Sequence, residues 1–455
     1  MSQPRAQLAE LIVHSTPSAE ARGKARAGVL DYVSVALPIV TGAIEDKPLS
    51  SLLAVFSEPH NAQTMALLLG YAGHTLDFDD FHQQFHGHPS AVILPALFAL
   101  ARDCSSRLSV NKDELFDGEH FLDAYVIGVE VAGRLGLAAG PQHYQAGFHN
   151  TATLGTLAAA AAAARFMHAD VAQTAMIIGI AATRASGLRA QFGSSVKPLH
   201  AGYAAEAAVI ATKLVLAGFD GKSAQVIEAF LSSHGGGKQQ PEKLTADWAQ
   251  PWRIITPGLE FKPYPTCAGT HSAADAAFAL RARWLADSGK PLNELTEDIN
   301  HIVVAFPPGG DIAASVRNPA TGIEARFSLE YVIAAVLLRD RLSLEDFDQR
   351  PVDEEIMALA RKVIRQPDEA APRDEIDPTQ RFHEVTLSRK NGEIWATRVT
   401  RKQSVAKGVD QQLKLQGCLP KSSAAEWAEI EALCQLATPA ALPELAKRLT
   451  SFKSL

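Results

Sequence analysis

The sequence predicts a mainly α protein, with a large all-helical domain followed by a smaller α+β unit. Alanine-rich apolar segments dominate its first half, and two β-prone runs flank Asn391–Gly392 in the second. Helical spacing then returns from Ser423 onward. In order, residues 6–41 place Leu8, Leu11, Ile12, Val29, Leu30, Val33 and Val35 at helical intervals. Ala152–Ala164 includes an unbroken alanine run from Ala158 and has almost no polar face, so it reads as a buried helix that neighbours approach closely. Ala169–Thr183 and Gly202–Leu216 repeat that pattern. Gly235, Gly236 and Gly237 mark a loop, and Pro257, Pro263 and Pro265 interrupt any helix beyond it. Ile299–Phe306 reads as a strand stopped by Pro307–Pro308. Glu384–Ser388 and Ile394–Thr397 form a hairpin around Asn391–Gly392. Helices are expected between these strands, near Ala268–Ala286 and Leu329–Leu338.

A chain of 455 residues with 47% hydrophobic content can bury two or three cores. A formal charge of -7 and a pI near 6.1 exclude the basic footprint of a nucleic-acid binder. The first residues lack an apolar signal core, and no uncharged apolar run reaches membrane-spanning length. Cys104, Cys267, Cys418 and Cys434 fit neither a disulfide framework nor a metal spacing. The expectation is a soluble, cytoplasmic protein.

The densest chemistry lies between His74 and Pro89. Asp77, Asp79 and Asp80 stand among His74, His82, His86 and His88, and histidine is the side chain that changes charge near neutrality. One reading is an acid/base site in which one of the aspartates orients a histidine that shuttles a proton. A second has Asp79 and Asp80 merely capping the helix that starts near Ser90. A third is a zinc or iron site on His82, His86 and His88, although the His82/His86 pair lacks the intervening Glu of a metalloprotease helix. Next, Tyr144 and His149 precede the alanine helix, where Asn150 or Thr151 would be its N-cap. Lys197–Pro198 sets a cation at a loop-to-helix junction, and prolines on either side of Tyr264 stiffen the backbone beside Lys262, with His271 soon after. The glycines at 235–237 lack the spacing of a phosphate loop.

Taken together, five segments resemble the MmgE/PrpD family. They are Leu76–Asp80 with His88–Pro89–Ser90, Gly147–Thr151, Lys197–Gly202, Lys262–Pro265 and Asn318–Ser328. The resemblance spans about residues 5–340. It implies an all-helical domain built from both chain ends (1–262, completed by 401–455) and an α+β lid domain over 263–400, with a site between them. It also implies a homodimer and no metal or organic cofactor. Carried onto this chain, it points to Asp77, His88, His149, Lys197, Lys262 and His271 as pocket residues; with Tyr144 from the residue inventory, the candidate catalytic set is His88, His149, Tyr144, Asp77 and Lys197, with Lys262, His271 and Phe81 against the substrate. Phe81 stands where decarboxylating members have a threonine, and one extra residue separates Asp77 from His88.

Inventory and resemblance converge on α-proton abstraction from a small di- or tricarboxylate. Lys197 and Lys262 would clamp carboxylates and stabilise the developing enolate-like charge, while His88, His149 or Tyr144 takes the proton, with Asp77 orienting a histidine. Phe81 and the Asn318–Ser328 segment tilt the expectation toward an epimerase or a dehydratase, such as one acting on iminodisuccinate or 2-methylcitrate, ahead of a cis-aconitate-type decarboxylase. The rival from another class is a metal-dependent hydrolase built on His82, His86 and His88.

Overall fold

Apolar residues recurring every three to four positions build most of the chain into helices. The computed structural model describes residues 4–56, 61–103, 117–222, 225–289, 297–374 and 380–453. Ala19–Val40, Ala62–His74, Ser90–Arg102, Gly118–Ala139, Thr153–Phe166, Val171–Ala182 and Val196–Leu216 share one hydrophobic core. Every residue from Thr153 to Ala164 is buried, as a helix without a polar face requires. Neither Asn150 nor Thr151 caps that helix. Asn150 Nδ2 donates to the Phe85 carbonyl at 2.9 Å, and Thr151 Oγ1 accepts from the His88 amide at 3.1 Å. Both residues instead tie the histidine-rich loop to the helix.

The helix expected from Gly202 begins earlier, at Val196, because a proline in the first turn needs no intrahelical donor. By length and composition this helix could cross a membrane, but 61% of its most apolar window is buried inside the protein. It crosses Ala62–His74 at glycines. A methyl group on Gly70 would come within 2.7 Å of the Gly202 Cα, so only glycine permits this approach. The crossing sets His74, at the end of one helix, beside Lys197, at the start of the other.

The second core joins His271–Ser288 and Leu329–Arg339 to a four-stranded mixed sheet ordered β2-β1-β3-β4. β1 (Ile299–Phe306) and the pair β3 (Phe382–Arg389) and β4 (Ile394–Thr400) coincide with the sequence expectation. β2 (Val363–Pro367) does not. Its VIRQP sequence is short and polar, and it becomes a strand only by pairing in parallel with β1. Gly392 adopts φ +89 in the β3–β4 turn, which is longer than two residues.

The chain then returns to the first core through Gln411–Cys418, Ala424–Cys434 and Ala441–Leu449. Lys414 anchors the return. Its ammonium donates to Asp31 Oδ1 at 2.5 Å and to the Phe78 carbonyl at 2.6 Å, with both charged groups in the interior. Cys267, Cys418 and Cys434 are free and buried, while Cys104 lies outside the described residues.

Removing one member of a buried ion pair leaves the other charge uncompensated, at a cost of about 3–5 kcal/mol. Lys414→Met is therefore expected to lower unfolding stability in urea by that amount. The double variant Asp31→Asn/Lys414→Met should recover most of the loss. A double variant as unstable as the single one would show that the ion pair is not the cause.

Candidate active site

The loop after Ala62–His74 turns sharply at Asp77, whose φ of +50 lies in the left-handed region that most side chains avoid. That turn aims the Asp77 carboxylate at two lysines distant in sequence. Lys197 Nζ reaches Asp77 Oδ1 at 2.8 Å, and Lys262 Nζ reaches the same oxygen at 2.9 Å and the Asp77 carbonyl at 2.7 Å. All three side chains are at most 5% exposed. Burial alone would push the Asp77 carboxyl up, but the two ammoniums override it and hold the group well below the usual carboxylate range.

An ammonium carries three donors. Lys197 spends one on Asp77 and one on His74 Nε2 at 3.1 Å; Lys262 spends one on the Asp77 carboxylate and one on its carbonyl. One N–H of each therefore has no acceptor among the described residues. Asp77 Oδ2 is likewise buried without a donor.

The sequence expectation that Asp77 orients a histidine is corrected here. Asp79 does so, accepting from His74 Nδ1 at 2.8 Å and lying 3.2 Å from His88 Nδ1. His88 Nδ1 also lies 2.6 Å from the Asp80 carbonyl. With the proton on Nδ1 donated to those acceptors, the Nε2 lone pair of His88 is left for the pocket. Asp80 does approach the helix start, bonding the Ser90 hydroxyl and lying 3.4 Å from its amide, but Asp79 has no capping role. The alternative of a metal cluster on His82, His86 and His88 does not match the geometry. His82 is turned into the core, with Nε2 on the Arg253 carbonyl at 3.1 Å and Nδ1 accepting from the Phe85 amide at 3.2 Å. His74, Asp77 and His88 do bring ligand atoms within 4.8 Å of one another, yet the Lys197 ammonium already sits against two of them.

One pocket is lined by Asp77, Phe81, His86, His88, Tyr144, His149, Lys197 and Lys262, together with Phe192, Phe327, Arg381 and Arg401. His149 Nδ1 pairs with His200 Nδ1 at 3.2 Å. The Tyr144 ring packs on His86, with the Arg189 guanidinium 4.2 Å from its centroid. Burial drives the Tyr144 phenol up, which makes it a poor base at neutral pH. His271 is outside this pocket; it lines the adjoining chamber, with Nε2 on the Thr266 carbonyl at 3.1 Å. Arg381 and Arg401 join the site from the far end of the chain, and no local sequence pattern marks either of them.

Burial lowers the histidines, helped by nearby cations. His86 falls to about 3 and His200 to about 4, while His88 and His149 also move down. Neutral imidazoles beside ammonium donors, in a pocket with aromatic walls, can move a proton at a carbon next to a bound carboxylate.

Residues 6–238 match the MmgE/PrpD N-terminal domain, and residues 264–407 match the MmgE/PrpD C-terminal domain. The chain is 30% identical over 342 residues to a cis-aconitate decarboxylase of Mus musculus, a span covering 73% of this chain and 66% of that protein. A Homo sapiens cis-aconitate decarboxylase is 29% identical over 343 residues, with the same coverage. One from Aspergillus terreus (strain NIH 2624 / FGSC A1156) is 25% identical over 304 residues, covering 63% of this chain and 60% of its own length. The chain thus aligns with slightly less than two thirds of these relatives.

Buried neutral histidines also set the pH dependence of stability. Burial places His82 at about 4 in the folded protein, below an unfolded value near 6.5. Its contribution is present above pH 6.5 and lost as the pH falls from there through 4, because the unfolded chain binds the proton first. Each such group adds a slope approaching about 1.4 kcal/mol per pH unit within that window. Urea unfolding followed across it should show a smaller slope for His82→Gln than for the parent. Equal slopes would mean that His82 titrates alike in both states.

Proposed function

The chain belongs to the MmgE/PrpD family, and from that footing we propose that it is a lyase acting on a small di- or tricarboxylate at a carbon next to a carboxylate. The observation that carries this reading is the pair of buried ammoniums on Asp77 Oδ1, each keeping one N–H for a ligand. Those donors would hold a substrate carboxylate and stabilise the charge that builds on it when a bond to the adjacent carbon breaks. His88 Nε2 and His149 come from separate segments and supply proton transfer beside the two lysines. A depressed pKa keeps each imidazole able to accept a proton, and makes it a ready donor once charged.

Decarboxylation is the outcome that the relatives support. In it, the carbon–carboxylate bond breaks and carbon dioxide leaves. The electron pair passes toward the lysine-bound carboxylate, and a protonated histidine then returns a proton to carbon. The aromatic faces of Phe81, Phe192 and Phe327 suit the departure of a desolvated carboxylate. A second reading, dehydration, is favoured by the orphaned Asp77 Oδ2, which fits a donor such as a substrate hydroxyl. Epimerisation would use the same two histidines without loss of a group.

Proton NMR in heavy water, with cis-aconitate, hydroxytricarboxylates and simple dicarboxylates as probes, separates these outcomes. It distinguishes carbon dioxide loss, water loss and exchange without net change. Lys197→Ala and Lys262→Ala are expected to cost about 2–5 kcal/mol of transition-state binding, read from kcat/KM. Folded variants of near-native efficiency would remove the lysines from the mechanism. His88→Gln and His149→Gln should each lower turnover by roughly 10²–10⁴-fold. Full turnover in both would make these histidines structural.

A further inference from the structure

The pocket around Asp77 does not end at Phe81. A second chamber shares Phe81, Lys262, Ala268, Arg381 and Arg401 with it, and continues past them to Glu260, His271, Ser272 and Ser404. The two arginines stand where the chambers meet. Arg381, just before β3, is pinned by Asp374 through Nε at 2.5 Å and through Nη2. Arg401, immediately after β4, is held by Glu260 through Nη2, and its guanidinium carbon lies 5.1 Å from the Phe81 ring centroid. These acids fix one edge of each fork. Arg381 Nη1, Arg401 Nε and Arg401 Nη1 have no acceptor among the described residues.

His86 faces the same junction. Its backbone sits at φ +53, a strained conformation for a non-glycine residue, and its half-buried ring packs edge-on against Phe81 at 5.7 Å and Tyr144 at 4.3 Å. A structural ion pair accounts for the acid-bound edge of each guanidinium. It does not account for free donors turned along a cleft that already leads from the two lysines.

We propose that Arg381 and Arg401 form a second carboxylate subsite, which reads an acid group of the substrate remote from the carbon where the bond breaks. Planar guanidinium forks match a carboxylate in two-point geometry, and forks already held by Asp374 and Glu260 lose little freedom on binding. The ligand class is a polycarboxylate whose third acid extends past Phe81 while its first is held by Lys197 and Lys262. This assignment rests on the lyase reading only for which end of the molecule reacts.

The test is binding by calorimetry, with propane-1,2,3-tricarboxylate and malonate, which is too short to carry a remote acid, as non-reacting probes. The parent protein should prefer the tricarboxylate by about 10–100-fold, the effect of a charge-assisted hydrogen bond or two. Arg401→Gln and Arg381→Gln should each erase most of that preference while leaving malonate affinity within about twofold, and Arg401→Lys should restore part of it. Should Arg381→Gln fail to fold, the pair-removing variant Glu260→Gln/Arg401→Gln decides the matter alone. A parent without preference, or a preference that survives in the folded variants, overturns the subsite. If no polycarboxylate is turned over yet the arginine-dependent preference persists, the lyase reading falls and the subsite stands.

Discussion

One carboxylate oxygen, Asp77 Oδ1, holds two ammonium groups whose residues lie 120 and 185 positions further along the chain. Burying three charges together is tolerable only with good geometry and satisfied partners. The surrounding loop supplies both. Asp77 takes a left-handed backbone so that its carbonyl as well as its carboxylate faces Lys262. The next carbonyl, Phe78, is held by Lys414 from the C-terminal segment. Asp79, one residue further, bonds His74, which in turn bonds Lys197. Three successive residues thus fasten the helical core, the interdomain connector and the chain's return to a single point.

That arrangement explains how lysines and histidines coexist in the same small space. Burial, helped by the neighbouring ammoniums, keeps the histidines neutral. Acids and bases therefore stay in the states that proton transfer at carbon requires. The cost is borne by stability at low pH, since each neutral histidine in the interior resists the proton that the unfolded chain accepts.

The smaller α+β unit contributes more than a cover. Lys262 lies at its threshold, and Arg381 and Arg401 flank the β3–β4 hairpin. Because Arg401 bonds Glu260 and the Phe81 amide donates to the Glu260 carbonyl, the hairpin, the connector and the histidine loop are continuous. A change in any one of them is felt at the junction of the two chambers.

Much of this was legible in the residues. The alanine helix, β1 and the Asn391–Gly392 hairpin each carry a local pattern whose period or turn chemistry has one good solution. The site segments, too, stood out by composition: Asp77, His88, His149, Lys197 and Lys262 all reach one pocket. Direction, partner and register could not be read that way. The sequence cannot say that Asp79 rather than Asp77 orients the imidazoles, or that His82 turns into the core while His86 and His88 face the cleft. It also cannot say that VIRQP becomes a strand beside β1, or that Arg381 and Arg401 arrive at a site begun three hundred residues earlier. Local pattern determines which segments fold and which side chains carry chemistry. Long-range packing, such as the glycine crossing of Gly70 and Gly202, decides which of those side chains meet, because hydrogen-bond partners distant in sequence leave no periodic mark on either segment.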